Sequence, residues 1–304
     1  MTQTFSGRRA RTMAEMAELD ARTFSMEKIM ESIKAYRPRP TDIIITPFGK
    51  CGTTWLQQTF HTLRTRGDMD FDDISRVVPW IETAAMVGID INAAQRGEPR
   101  GFKSHASWNE VPKGAKYVVS LRDPKDAFVS GYRFMEGWYF EPGSISYEEW
   151  FDARSGRRGK GRDYWSHLLS WWNQRNNPDV LLLSYEHMVD DPALAIARLA
   201  AFSGIELDDN VLQLALERTS LPYMLRYKDR FDDAMLRELS ETAGGLPRGS
   251  DSAKVRKGGA GGHVQELPEA VSQGLDVIWA SDVAAETGFA DYASLEAEIR
   301  RLAC

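Results

Sequence analysis

The chain has 304 residues, a length at which a single α/β domain with insertions can bury a full hydrophobic core. Apolar residues make up 42% and charged residues 27%, which excludes an intrinsically disordered chain, and the net charge of −6 argues against nucleic acid as a partner. The two cysteines, Cys51 and Cys304, are too few for a disulfide framework and wrongly spaced for a metal site. We therefore expect a single domain over residues 1–304, in a reducing compartment.

The N-terminus shows no targeting signal. Arg8, Arg9 and Arg11 stand among polar residues, without the apolar core of a secretory signal peptide. No later stretch approaches the length of a membrane span. These observations predict a cytoplasmic protein without integral membrane association.

Apolar periodicity divides the chain into alternating helices and strands. Short β-branched or leucine-rich runs predict strands over residues 43–45, 116–121 and 180–184. Helical spacing predicts one or two leading helices within residues 1–40, at 13–36, and further helices at 56–65, 124–136, 164–175 and 192–203. This alternation predicts a central parallel β-sheet with helices on both faces, the α/β class.

In such a sheet, ligands bind beyond the carboxyl ends of the strands. Lys50, Arg122 and Tyr185 each follow a predicted strand. We therefore expect these three side chains to meet at one edge of the sheet.

The run from Thr46 to Trp55, TPFGKCGTTW, connects the first strand to the next helix and is a P-loop-like anion site. Backbone N–H groups at a helix N-terminus carry partial positive charge, and Lys50 can add a full one. The ATP-binding loop requires Gly-Lys-Thr in direct succession, whereas Lys50 precedes Gly52 by two residues here. The loop therefore predicts a phosphate or sulfate ligand outside the ordinary ATP pattern.

Two segments are rich in glycine and basic residues. Residues 154–163, RSGRRGKGRD, and residues 243–263, which contain Pro247, can each be solvated surface loops or functional flaps. The composition alone leaves both interpretations open.

Four further strings complete a pattern together with GKCGTTW. They are FKSH ending at His105, LRDPKDAFVS ending at Ser130, SYE at residues 184–186, and VRKGGAG at 255–261. In this order and spacing, residues 43–261 resemble the cytosolic-type, sulfotransferase 1-like enzymes that use 3′-phosphoadenosine 5′-phosphosulfate (PAPS). The resemblance implies a sulfotransferase that releases 3′-phosphoadenosine 5′-phosphate (PAP).

The resemblance also implies a set of cofactor-binding residues. The 5′-phosphosulfate would be held by Lys50, Cys51, Gly52, Thr53, Thr54 and Trp55. The 3′-phosphate would be bound by Arg122 and Ser130 and covered by Val255, Arg256, Lys257 and Gly258, which makes residues 243–263 a predicted cofactor lid. The adenine and ribose would lie near Tyr185 and Thr219. Cys51 departs from the serine usual in the family, and a thiol is a weaker hydrogen-bond donor to phosphate.

His105 matches the catalytic base of the family. A neutral imidazole can remove the proton of an acceptor hydroxyl while that oxygen attacks sulfur in line with the leaving phosphate. The resemblance implies that Lys50 stabilises the negative charge that grows on the leaving oxygen. It implies that Lys103 assists at the sulfuryl oxygens. It implies that no metal is required.

The acceptor is harder to read. Phe134 matches a family position in the acceptor pocket, and Trp80 and Trp108 lie close to the motifs in the sequence. Aromatic walls favour an apolar alcohol, but each of these rings can equally be a core residue. We predict a hydroxyl, or alternatively an amine, of a small molecule or glycolipid. The late dimer motif of the family is missing, so a homodimer stays one of several possible oligomeric states.

Two alternatives remain at this point. A P-loop nucleotide kinase would share the strand, loop and helix but would need an acidic Mg²⁺ ligand and the Gly-Lys-Thr order. A non-catalytic protein that binds PAP or PAPS would share the cofactor residues, although Lys50 and His105 argue for turnover.

Overall fold

The computed structural model describes residues 7–156, 158–159, 161–249 and 254–302. Its centre is a four-stranded parallel sheet in the order β2-β1-β3-β4. The strands are β1 (Ile43–Ile45), β2 (Gly101–Lys103), β3 (Lys116–Leu121) and β4 (Val180–Ser184). The predicted parallel sheet is confirmed, and all three predicted strands have the predicted bounds.

Helices surround the sheet. Those before β4 are α1 (Met13–Thr23), α2 (Met26–Ala35), α3 (Thr53–Thr65), α4 (Ile74–Val77), α5 (Pro124–Trp138), α6 (Tyr147–Ser155) and α7 (Tyr164–Trp172). Those after it are α8 (Tyr185–Asp190), α9 (Pro192–Ser203), α10 (Asp209–Thr219), α11 (Leu221–Arg226), α12 (Ala234–Thr242), α13 (His263–Glu266), α14 (Glu269–Ile278), α15 (Ala285–Thr287) and α16 (Tyr292–Arg301). A 3₁₀ turn (Lys228–Phe231) and a π-helical turn (Trp279–Ala284) complete the elements.

Alternation along the strands places helices on both faces of the sheet. Ile44 of β1 contributes to the core cluster that contains α7, α14 and α16, whereas Ile43 and Ile45 contribute to the cluster that contains α3, α9 and α10. Successive side chains of a strand point to opposite faces, so each strand is buried on both sides. This double burial explains why the strands are continuous apolar runs.

The helix predictions are largely confirmed, with errors at the ends. The leading segment forms two helices because Ser25 caps the second one through a bond from the Lys28 N–H. Helix α3 begins at Thr53, three residues earlier than predicted, because the anion loop ends directly in its first turn. Helix α7 ends at Trp172 rather than at residue 175. Helices α4, α6, α8 and α10 to α16 had no counterpart in the predicted elements.

No helix in the described ranges has the length and apolarity that crossing a membrane requires. The single-domain organisation and the oligomeric state stay predictions.

Candidate active site

The loop between β1 and α3 is tightly folded. Lys50 and Gly52 both adopt left-handed backbone conformations, with φ of 71° and 96°. A Cβ at Gly52 would come within 3.0 Å of Tyr185 Cδ2 and 3.2 Å of the Met188 side chain. Glycine is therefore required here both for the backbone angle and for the approach of the loop to α8.

The N-terminus of α3 is open to an anion. Gly52 is its N-cap, and no side chain of the described residues caps it. The Thr53 hydroxyl oxygen is buried and has no hydrogen-bond partner among those residues. Uncapped N–H groups, an unpaired hydroxyl and the Lys50 ammonium are the donors that a phosphate group requires, so the residues present fit the phosphosulfate expected at this loop.

Cys51 faces the sheet. Its carbonyl oxygen accepts a hydrogen bond from the Ser120 hydroxyl of β3, and its thiol lies 3.8 Å from the Gly49 carbonyl oxygen. Burial raises the pKa of the Cys51 thiol to about 12, so the group stays neutral. These contacts give Cys51 the role of anchoring the loop.

Arg122 follows β3 and lies against the same loop. Its Nη1 donates to the Lys50 carbonyl oxygen at 2.8 Å, and its Nη2 donates to the Gly259 carbonyl oxygen at 3.3 Å. Its guanidinium lies 4.2 Å from the ring centroid of Tyr185. Its Nε is buried without a partner among the described residues. The predicted meeting of Lys50, Arg122 and Tyr185 at one sheet edge is thus seen in the structure.

The remaining predicted nucleotide contacts lie around this edge. Trp55 Nε1 donates to the Thr219 carbonyl oxygen at 3.2 Å, which joins α3 to the end of α10. Half-buried Ser130 lies on α5, the helix that begins just after Arg122.

Residues 254–262 cross the edge of the site. Asp126 of α5 accepts hydrogen bonds from the Gly261 N–H at 2.6 Å and the His263 N–H at 3.0 Å. Arg256 and Lys257 contact Glu266 at 3.8 and 3.3 Å. The other two residues of the predicted lid also contact the body of the protein. Val255 packs on the α3 side of the core, and Gly258 lies against Leu221.

The second basic segment makes surface ion pairs. Arg158 contacts Asp282 at 3.3 Å and Arg162 contacts Glu110 at 3.0 Å. Arg157 and Lys160 lie outside the described residues, as do residues 250–253 of the predicted lid and Cys304. The interpretation of residues 154–163 as a functional flap stays a prediction.

His105 is held in one tautomer. Its Nδ1 lies 2.7 Å from the Pro47 carbonyl oxygen, and a carbonyl can only accept, so Nδ1 carries the proton and Nε2 is the basic nitrogen. The ring of Trp80 meets the imidazole edge-on at 5.1 Å. Burial, together with the nearby Lys103 ammonium, lowers the pKa of His105 to about 3, so the imidazole is neutral at physiological pH.

Two lysines lie beside aromatic rings at the same place. Lys103 Nζ is 4.0 Å from the Trp80 ring centroid, and Lys50 Nζ is 4.4 Å from that of Phe134. Burial lowers the pKa of Lys50 to about 7 and that of Lys103 to about 8. An anionic ligand would favour the charged form of both amines.

Trp108 differs from the other predicted acceptor residues. Its ring packs edge-on against Tyr117 at 5.4 Å and Trp171 at 5.5 Å. This is the core-packing interpretation that the sequence left open for the aromatic residues. Trp80 and Phe134, by contrast, lie beside the two lysines.

Several residues of the site were not predicted from the sequence. Asp233 pairs with Lys103 and with Lys254. Glu82 accepts hydrogen bonds from the Ser104 hydroxyl and, at 3.4 Å, from the His105 N–H. Glu82 carries the only available signal, an acidic residue two positions after Trp80 in an otherwise apolar stretch.

One cavity lies away from these residues. It has a volume of about 710 Å³ and includes none of the predicted site residues; among its lining residues are Phe71, Pro79, Ile89, Arg96 and Arg230. A much smaller cavity, of about 10 Å³, touches Trp80 and Asp233. Of the predicted site residues, Trp80 alone lines either of these two cavities.

Within the described residues, no cluster of three or more histidine, cysteine or acidic side chains has metal-binding geometry. Metal independence nevertheless stays a prediction.

His167 donates a hydrogen bond to the start of the anion loop and makes the stability of the folded chain dependent on pH. Its Nε2 donates to the Thr46 carbonyl oxygen at 3.1 Å, and burial lowers its pKa to about 4. The unfolded chain takes up a proton near pH 6.5 and the folded chain does not, so this group reduces stability as the pH falls from 6.5 towards 4. The free energy of unfolding falls between pH 7 and pH 5. We expect this fall to be about 2 kcal/mol smaller in His167→Gln than in the wild type. Urea unfolding at both pH values measures this, and an unchanged pH dependence would contradict it.

Comparison with known proteins decides the family. The sulfotransferase domain family matches residues 40–287, most of the chain. The chain belongs to the sulfotransferase family. The predicted resemblance is therefore confirmed, and the kinase alternative is set aside.

Curated sulfotransferases align with most of this sulfotransferase. Sulfotransferase 1B1 of Canis lupus familiaris is 28% identical over 270 residues, which cover 84% of this chain and 88% of that protein. Sulfotransferase 2A1 of Homo sapiens is 30% identical over 199 residues, which cover 62% and 68%. Both similarities agree with the family assignment.

Solved structures share the fold. Retinol dehydratase, in complex with androsterone and PAP, superposes with a TM-score of 0.69 at 19% identity and covers 93% of this chain and 96% of that one. Mouse sulfotransferase SULT7A1, in complex with PAP, gives 0.67 at 18% identity and covers 92% and 95%. The sulfotransferase fold thus extends over nearly the whole chain.

Proposed function

We propose that this sulfotransferase moves the sulfuryl group of PAPS to a hydroxyl group, with His105 as the general base. The observation that carries the proposal is the Nδ1 bond of His105 to the Pro47 carbonyl oxygen, which leaves Nε2 unprotonated. Nε2 accepts the hydroxyl proton while the acceptor oxygen attacks sulfur. The neutral state of the imidazole supports this role.

Half-buried Lys50 and buried Lys103 stabilise the charge that moves during transfer. Lys50 lies in the loop that receives the phosphosulfate, so its ammonium can balance the charge that grows on the leaving phosphate oxygen. Lys103 directly precedes the Ser104–His105 pair and can bind the sulfuryl oxygens. Because burial places both pKa values near neutrality, the charge of the bound donor favours the protonated amines.

Arg122 gives the site its preference for a 3′-phosphorylated nucleotide. Two backbone bonds and the Tyr185 ring fix its guanidinium, and its buried Nε still lacks a partner among the described residues. Ser130 and the segment that carries Arg256, Lys257 and Gly258 would complete the 3′-phosphate site. A fixed guanidinium binds a phosphate with two parallel hydrogen bonds.

The acceptor that fits best is an apolar alcohol of a small molecule or glycolipid. Trp80 and Phe134 flank the two lysines and provide apolar walls next to His105. The neighbour retinol dehydratase is known in complexes with androsterone and with retinol, both apolar alcohols.

Calorimetric titration of the purified protein tests the cofactor. In EDTA we expect PAP to bind tightly and ATP to bind at least about 10-fold more weakly, because ATP lacks a 3′-phosphate for Arg122. Equal or stronger binding of ATP would contradict the proposal, and a requirement for added Mg²⁺ would contradict metal independence. PAP binding without turnover of PAPS against a panel of phenols and sterols would instead favour the non-catalytic binding protein.

A further inference from the structure

A buried ion-pair cluster joins the reaction centre to the lid segment. Asp233, at the N-cap of α12, lies with its two carboxylate oxygens 3.2 and 3.4 Å from Lys103 Nζ. Lys254 Nζ contacts the same carboxylate at Oδ2, the oxygen that lies nearer to Lys103 Nζ. Lys103 and Asp233 are 2% and 3% exposed, so water screens these charges little.

The fold holds the Asp233 carboxylate in place. Its backbone has a φ of 47°, a left-handed conformation that few residues other than glycine, asparagine and aspartate adopt. The Ser75 hydroxyl donates to its Oδ1 at 2.9 Å. Next to it, the Asp73 carboxylate accepts a hydrogen bond from the Ala234 N–H at 2.5 Å and so ties the start of α12 to α4.

The charges around Asp233 are mainly positive. The charges of Lys50, Lys103 and Lys254 repel one another. The negative charge of the Asp233 carboxylate offsets part of this repulsion. These lysine charges hold the pKa of Asp233 well below its usual range. Asp73 is the second carboxylate of the cluster, and its pKa is raised by burial and by Asp233.

We propose that Asp233 is a positioning residue for sulfuryl transfer, which keeps the Lys103 ammonium charged and fixed beside Trp80 and His105. Lys254 shares the Asp233 carboxylate with Lys103, so its charge opposes the charge of Lys103 at the same group. The proposal depends on the proposed function, because Lys103 acts on the sulfuryl group only there. Asp233 touches neither donor nor acceptor in this role.

The test measures the protonation of Lys103 directly. In protein labelled with ¹³C at the lysine ε-carbons, the Lys103 signal, assigned by its loss in Lys103→Arg, is titrated by NMR. We expect Asp233→Asn to lower the pKa of Lys103 by about one unit or more, because it removes the only carboxylate in contact with that ammonium among the described residues. We expect Lys254→Met to raise it, because a neighbouring cation is lost.

Shifts of opposite sign separate positioning from a purely structural role. Loss of packing would lower the melting temperature in both variants without moving the Lys103 titration in opposite directions. The matched control is Asp232→Asn, the same change one residue earlier, where the carboxylate pairs with Arg237 instead. If Asp233→Asn does not fold, the Lys254→Met titration decides alone, and an unchanged or lowered Lys103 pKa in it overturns the proposal.

Turnover supplies the second readout. With PAPS and 2-naphthol as the acceptor probe, we expect the alkaline fall of kcat in Asp233→Asn to begin about one pH unit lower than in the wild type, and this shift to vanish in the Lys103→Arg background. Persistence of the shift in that background would assign it to Lys50 and overturn the proposal. If the wild type fails to bind PAP, the proposed function fails, whereas the NMR titration still decides whether Asp233 controls Lys103.

Discussion

Replacement of His105 by alanine is expected to lower kcat by about 10²- to 10⁴-fold, the usual contribution of a positioned general base. Nε2 of His105 is the basic nitrogen beside Trp80 and Lys103, and its orientation depends on the bond from Nδ1 to Pro47. Alanine removes the base but leaves the anion loop and Arg122 in place. We therefore expect the dissociation constant of PAP to change by less than about threefold, within the scatter of single interactions.

Two further variants sharpen this result. His105→Gln retains a donor for the Pro47 carbonyl oxygen but no base, so it should be as inactive as His105→Ala and more stable. His187→Ala, on α8, is the matched control and should keep most of the activity. Measurable turnover in His105→Ala at more than a tenth of the wild-type rate, with PAPS and a phenolic acceptor, would exclude His105 as the general base.

Replacement of Arg122 by alanine is expected to weaken PAP binding by about 10- to 100-fold, because a charge-assisted hydrogen bond contributes about 1.5–3 kcal/mol. The change removes the cation that lies between the anion loop and Gly259. Calorimetry with PAP and with 5′-AMP identifies the phosphate concerned. The wild type should prefer PAP strongly, and the variant should bind the two nucleotides with nearly equal affinity.

The structural contribution of Arg122 can be separated from its contact with the ligand. Arg122→Lys keeps the charge but loses the planar donor pair, so we expect an intermediate affinity for PAP. Arg162→Ala removes an exposed arginine that pairs with Glu110 and serves as the matched control. If the affinities for PAP and 5′-AMP fell by the same factor in Arg122→Ala, Arg122 would support the loop without binding the 3′-phosphate.

Local sequence patterns predicted the parts of the site that depend on consecutive residues. The strand of Ile43 to Ile45, the loop with Gly52 and the helix behind it form one continuous stretch, so short-range rules describe them well. The positions of Arg122 and Tyr185 followed from one topological rule, that parallel strands deliver their carboxyl ends to one edge. The same rules place a helix end only within a few residues, as the early start of α3 shows.

The sequence by itself determined the family, the parallel sheet and the anion loop, because each of these depends on contiguous residues or on the order of the elements along the chain. The tertiary structure alone decided which aromatic residues face the lysines, since Trp80 and Trp108 have the same local character but different neighbours. It also decided that Asp233, 130 residues after Lys103, pairs with it. Burial then set the protonation of His105 and of both lysines, and burial is a property of the packed chain rather than of any segment.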